Sequence, residues 1–198
     1  MSDYMDVLAW SLIPNHYHLT VLIKPIEDIF IAAERDFGKI PHQVTVNLPE
    51  LAMHDLNLPN FKNLTNLNST ELKTKLAARL VTERLRRCLL GYAKAINKQE
   101  KRTGSLFQKI IRRDHLPHMD DLRRNIAYVH RNPIHHRMCK EYHLWKHGSY
   151  NWYLKNRLDQ PHKPTTKAFE IFGGPDRFFQ FHEQYLHRWK DQQIEEWE

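Results

Sequence analysis

The sequence predicts an α+β fold, helices packed on an antiparallel ribbon, and three stretches carry that expectation. Val7 to Ile13 is apolar and strand-like, Pro14-Asn15 is a two-residue turn, and His16 to Ile23 is a second run rich in β-branched residues. Leucines recur every three to five residues from Glu71 to Lys98, the signature of a long helix. Met119 to Asn132 repeats the pattern in a shorter helix, with Leu122, Ile126 and Val129 as its buried stripe.

Bulk composition narrows the class. A chain of 198 residues is long enough for one good core, and 41% hydrophobic residues with 27% charged is a globular balance. No run approaches the roughly 18 apolar residues of a membrane span, and Met-Ser-Asp-Tyr-Met-Asp lacks a basic-then-apolar leader. Cys88 and Cys139 form no Cys-x-x-Cys pair, so a reduced, cytoplasmic protein without a thiolate zinc site is expected. The net charge of +7 is unevenly placed. Glu71 to Arg131 holds 16 Lys/Arg against 6 Asp/Glu, and Pro164 to Glu198 holds 4 against 7. A cationic middle of this kind suits a phosphate backbone, or else marks solvated helix faces.

Taken in order, the second strand is the most informative element. Alternation puts His16, His18, Thr20 and Leu22 on one face and Tyr17, Leu19, Val21 and Ile23 on the other. The second set is continuously apolar and is expected to face the core, leaving both imidazoles side by side on the opposite face. Residues 26–41 hold a short helix before Gly38 and Pro41. His42 to Thr70, with six asparagines, two prolines and three charged residues, reads as an insertion between core elements. Ser69 or Thr70 caps the long helix, whose stripe is Leu72, Leu76, Leu80, Leu85, Cys88 or Leu89, Tyr92 and Ile96. Leu106 to Asp114 reads as a basic strand ended by Pro117.

The shorter helix follows, with Asp120 and Asp121 at its positive end. Tyr128 and Asn132 lie four apart on one face and adjoin Asn125, and Pro133 is expected to stop the helix directly after Asn132. Beyond it come a short aromatic segment, His143 to Tyr150, and a polar bridge. A C-terminal helical extension over 164–198 closes a single domain spanning 1–198.

These pieces converge on one chemistry. Two strand imidazoles and an amide oxygen can hold a divalent ion with open coordination positions. Such an ion polarises a phosphodiester, and the Tyr128 hydroxyl can act as the nucleophile in place of water. Arg84, Arg87, Lys94, Lys98, Arg102, Lys109, Arg112, Arg113 and Arg131 are the candidate backbone contacts. Plainer readings stand beside these: histidines on a solvated sheet face, a packing tyrosine, and an asparagine that merely ends its helix. His130, His135 and His136 lie close enough to compete for metal, while His115/His118 and His143/His147 read as surface histidines.

At this point the chain resembles the REP-associated tyrosine transposases, single-tyrosine nucleases of the HUH superfamily. The matching segments are Leu12 to Leu19, Asn97-Lys98 through Arg102 to Gln108, Tyr128 to Pro133, Trp145 through Ser149-Tyr150, and Phe172 to Gly174. The resemblance implies a ferredoxin-like antiparallel sheet with packed helices, and Mg²⁺ or Mn²⁺ bound by His16, His18 and Asn132. It also implies attack by Tyr128 on single-stranded DNA that carries a hairpin, leaving a 5′-phosphotyrosine and a free 3′-hydroxyl. A cytoplasmic, nucleoid-associated enzyme is the corresponding location.

Three departures accompany it: Gly148 stands where a second serine is usual, 42–70 is long, and only six residues precede Val7. The family begins with a further strand and helix, so the sheet is expected to have a gap or an exposed edge. A truncated or decaying copy, a misplaced initiation codon, or a strand borrowed from a partner in a homodimer would each account for this. The expected function is therefore metal-dependent nicking and strand transfer on hairpin-bearing DNA. The alternatives are a catalytically inactive hairpin or single-strand binder, and a histidine-rich metal binder whose charge is incidental.

Overall fold

Pro14-Asn15 closes a hairpin between β1 (Met5–Ile13) and β2 (His16–Ile23), which pair as a two-stranded antiparallel sheet. The computed structural model describes residues 2–39, 70–107, 112–157 and 163–195, with side chains in the last stretch described for 167–191. Six α-helices and a 3₁₀ turn (Tyr142–Leu144) complete the described elements, the helices being α1 (Ile26–Phe37), α2 (Thr70–Gln99), α3 (Met119–His135), α4 (Tyr150–Lys155), α5 (Lys163–Phe172) and α6 (Pro175–Glu195). The chain is thus α+β. It divides into two compact units interleaved in sequence, Met1–Asp6 with Ile23–Arg112, and Val7–Leu22 with Arg113–Glu198.

In the first unit, Ile29, Phe30, Ala32 and Ala33 of α1 pack with Leu76, Ala77 and Leu80 of α2, and Tyr4 and Met5 are buried there as well. Burial along α2 ends at Glu83, whose carboxylate accepts from both Arg86 and Arg87. The predicted stripe therefore serves the core only in its first half. Cys88 is exposed and Tyr92 is 53% exposed, with Phe107 the ring nearest it at 6.1 Å. The expected strand over Leu106 to Asp114 has its middle, 108–111, outside the described residues, and its ends at 106–107 and 112–114 are not strand. Residues 42–69 of the expected insertion also lie outside the description.

The core of the second unit is assembled from Leu8 and Ala9 of β1, Leu122, Ile126 and Val129 of α3, Tyr153 of α4, and Phe169, Phe172, Phe178 and Phe179 of the last two helices. Gly173 (φ +77°) and Gly174 (φ +124°) separate α5 from α6. Their amides close back on Glu170 and Phe169, a turn that needs a left-handed residue, and Pro175 then starts α6. Residues 147–149 run beside β1, through Leu12 N–H to the His147 carbonyl (2.8 Å), Ser149 N–H to the Trp10 carbonyl (2.9 Å) and an antiparallel bridge from Ser11 to Gly148. A β-carbon at 148 would stand 3.3 Å from the Trp145 ring and 3.4 Å from the Trp10 carbonyl, so glycine suits this close approach.

Two expectations are corrected. Pro133 does not stop α3, which runs on to His135. A proline this near the C-terminus removes one hydrogen bond and no more, and the helix then ends in a Schellman turn. Arg137 N–H meets the Ile134 carbonyl, Met138 N–H meets the Pro133 carbonyl, and Arg137 takes φ +58°. Because a side chain is strained at that φ, Arg137→Gly is expected to stabilise the fold by up to about 1 kcal/mol. A melting point raised by roughly 1–3 °C is the readout, and a fall would refute the strain.

The second correction concerns β2. Tyr17, Leu19 and Val21 are only half-buried and Ile23 is 48% exposed, whereas Thr20 on the histidine face is 3% exposed. Helix α3 lies on the histidine face, where His16 and His18 are half-buried in turn.

Candidate functional site

A helix stripe meets a strand face along this seam. Asn125, Tyr128, Asn132 and His136 follow one another at spacings of three, four and four, one side of α3. His16, His18 and Thr20 alternate along one side of β2. Thr20 Oγ1 donates to Asn125 Oδ1 at 2.7 Å and pins the two elements together. From there the rings pair in register: His18 with Tyr128 at 5.5 Å between centroids, and His16 with His136 at 5.2 Å. His16 and His18 themselves stand 5.0 Å apart, edge to face. The structure thus brings together His16, His18, Tyr128 and Asn132.

The polar atoms here are short of partners. His18 Nε2 and both amide atoms of Asn132 are buried without a hydrogen bond, and Asn132 is 1% exposed. His16 Nδ1 contacts Asn15 Oδ1 at 2.9 Å. Burial lowers the proton affinity of His16, the neighbouring His136 adds to this, and the nearby Asn132 amide opposes it without completing a hydrogen bond. For His18, burial again leads, followed by His16 and His136. Both imidazoles are therefore held toward the neutral, ligating form. Among the described residues no three His, Cys, Asp or Glu side chains converge as a metal-binding group. An ion at this seam would need the Asn132 amide beside the two imidazoles, and those orphaned atoms fit that role.

Tyr128 is half-buried, its ring set at 82° to that of His18, and it helps to line an open hollow of about 280 Å³. Arg131, one turn further along α3, is 7% exposed and is stacked against Tyr128, Tyr185 and Trp189. Of the other predicted backbone contacts, Arg84 and Arg87 are engaged within the first unit, Arg84 beside Asp36 and Arg87 on Glu83 with its guanidinium over the Phe37 ring. Lys94, Lys98 and Arg102 are exposed in that unit, as are Arg112 there and Arg113 in the second. Lys109 lies outside the described residues.

Sequence reasoning names His136 only as a possible competitor for metal; it extends the Tyr128/Asn132 series by four residues, a spacing hidden by the stop assigned to Pro133. What the sequence does not signal is a buried polar chain. His182 Nδ1 lies 2.7 Å from the Phe178 carbonyl and must donate to it, so its Nε2 accepts from His130 Nδ1 at 2.8 Å. His130 Nε2 then accepts from Ser149 Oγ at 2.7 Å, and that oxygen receives the Trp10 N–H. Because its two histidines stand 52 positions apart, no local pattern announces this chain.

Comparisons with protein-family models, with curated proteins and with solved structures return no match.

Proposed function

We propose that the protein is a single-tyrosine DNA nuclease and strand transferase of the HUH type, acting on single-stranded DNA that carries a hairpin. One observation supports this above all: a strand presenting two imidazoles lies under a helix presenting Tyr128 and Asn132, with His18 Nε2 and the Asn132 amide buried and unpaired. His16, His18 and Asn132 would hold Mg²⁺ or Mn²⁺, which when bound supplies a Lewis acid to polarise the scissile phosphate. The Tyr128 oxygen would form the bond to phosphorus as the 3′-oxygen leaves, giving a 5′-phosphotyrosine and a free 3′-hydroxyl. The exposed lysines and arginines would hold the backbone. The same reading puts β1, β2 and the segment at Gly148 in a ferredoxin-like sheet, in a nucleoid-associated protein. No described helix is long and apolar enough to cross a membrane.

Incubation with labelled hairpin-bearing single strands and Mn²⁺ tests the proposal through a covalent band that survives denaturation. Salt-sensitive binding with no such band would leave a binding protein, and metal uptake without DNA affinity would leave neither. The ligand assignment has its own check. His18→Ala and Asn132→Ala are each expected to weaken Mn²⁺ binding, read by electron paramagnetic resonance, by roughly 10–100-fold. Unchanged Mn²⁺ affinity in both variants would remove them as ligands.

A further inference from the structure

The hollow beside Tyr128 has a wall the proposed chemistry does not use. Tyr128 and Tyr185 contribute aromatic rings, His115 contributes an imidazole, and Asp121, Arg124 and Asn125 contribute polar groups. Arg124 Nη2 donates to Asp121 Oδ1 at 2.6 Å, and the Asn125 oxygen is occupied by Thr20, which leaves the Asn125 amide N–H groups as donors there. Behind the rings sits Arg131. Its guanidinium carbon lies 5.7 Å from the Tyr128 centroid, 5.3 Å from Tyr185 and 4.7 Å from Trp189. Its Nε is buried without an acceptor, so ring faces take the place that a carboxylate holds beside most buried cations. A cation shared among three rings ties Tyr185 to the element that carries Tyr128.

We propose that this hollow is a subsite for one unpaired nucleobase of the strand held at Tyr128, with Tyr185 as its stacking platform. The inference rests on the nuclease reading above and deepens it. Aromatic side chains bordered by paired donors and acceptors match a planar, polar-edged ring. An open hollow admits a base still joined to its strand on both sides, whereas a free small molecule is held by enclosure. Stacking accepts any base, because every base has a π-face, so the subsite adds affinity and register without sequence preference.

The test compares fluorescein-labelled (dT)₁₂ with a 12-mer of tetrahydrofuran abasic units, identical in phosphate charge and lacking bases. The wild-type protein should prefer (dT)₁₂. Tyr185→Ala should narrow that preference by roughly 5–100-fold, the worth of one stacked base, with its affinity for the abasic strand unchanged. Tyr185→Phe should keep the wild-type ratio. Since Tyr185 also stacks on Phe181 at 6.3 Å, damage to packing would weaken both strands alike. That outcome, or an unaltered ratio in Tyr185→Ala, overturns the subsite. A narrowed ratio without a covalent adduct on hairpin DNA would defeat the cleavage reading alone. An adduct with an unaltered ratio would defeat the subsite alone.

Discussion

Tyr128→Phe is expected to lower covalent adduct formation by at least about 10³-fold while leaving single-strand binding within a factor of about two. Loss of a nucleophile that no neighbour can replace removes the chemical step itself, and such losses are among the largest in enzymology. The substitution deletes one oxygen and keeps the ring. The contacts that place it are ring contacts, with His18 at 5.5 Å and the Arg131 guanidinium at 5.7 Å. Neither depends on the hydroxyl, so the fold and the imidazole pair should survive. The phosphate-binding groups are likewise untouched, which is why affinity should hold. Denaturing electrophoresis with labelled hairpin DNA reads the adduct, and titration of the same strand reads binding. A Tyr128→Phe variant that still forms the adduct would exclude Tyr128 as the nucleophile.

The second large effect is on stability against acid. His182 is fully buried and burial pushes it down to about 4, while burial, helped by His182, holds His130 well below the usual histidine range. Both folded values lie below the unfolded value near 6.5. The unfolded chain therefore binds more protons than the folded one between about pH 4 and 6.5, and stability rises with pH across that window. The contribution is fully present above pH 6.5 and is lost as pH falls. A displacement of this size at a fully buried histidine is worth about 3 kcal/mol, a large share of a typical domain's stability. Urea midpoints at pH 7.5, 6.5, 5.5 and 4.5 should fall steeply below 6.5. His182→Gln, which can still accept from His130, should show a shallower fall. Equal slopes in the two proteins would mean that the buried pair does not govern acid sensitivity.

Much of the local structure is legible in the amino-acid order because the signals are short-range. Pro14-Asn15 between two apolar runs specifies the hairpin, whereas Gly173 and Gly174 divide into two helices what reads as one helical extension over 164–198. The spacing of 125, 128 and 132 places three polar side chains on one stripe of α3, as observed, and the period of two places His16 beside His18. Pro133 misleads because what it removes is its own amide donor, one bond of the helix, while the amides of His136, Arg137 and Met138 beyond it still close the helix end.

What the sequence determines by itself is therefore the elements and which residues share a face of each. The tertiary structure alone decides which face is covered: α3 lies on the histidine side of β2, desolvating His16 and His18 and adding His136, while the apolar side stays half-open. It also decides that Arg131, expected on a basic surface, is enclosed by Tyr128, Tyr185 and Trp189, and that His130 meets His182 across 52 residues. The physical reason is that periodicity sorts side chains about one axis. Burial depends on a second element, chosen by the sum of many weak contacts distributed along the chain.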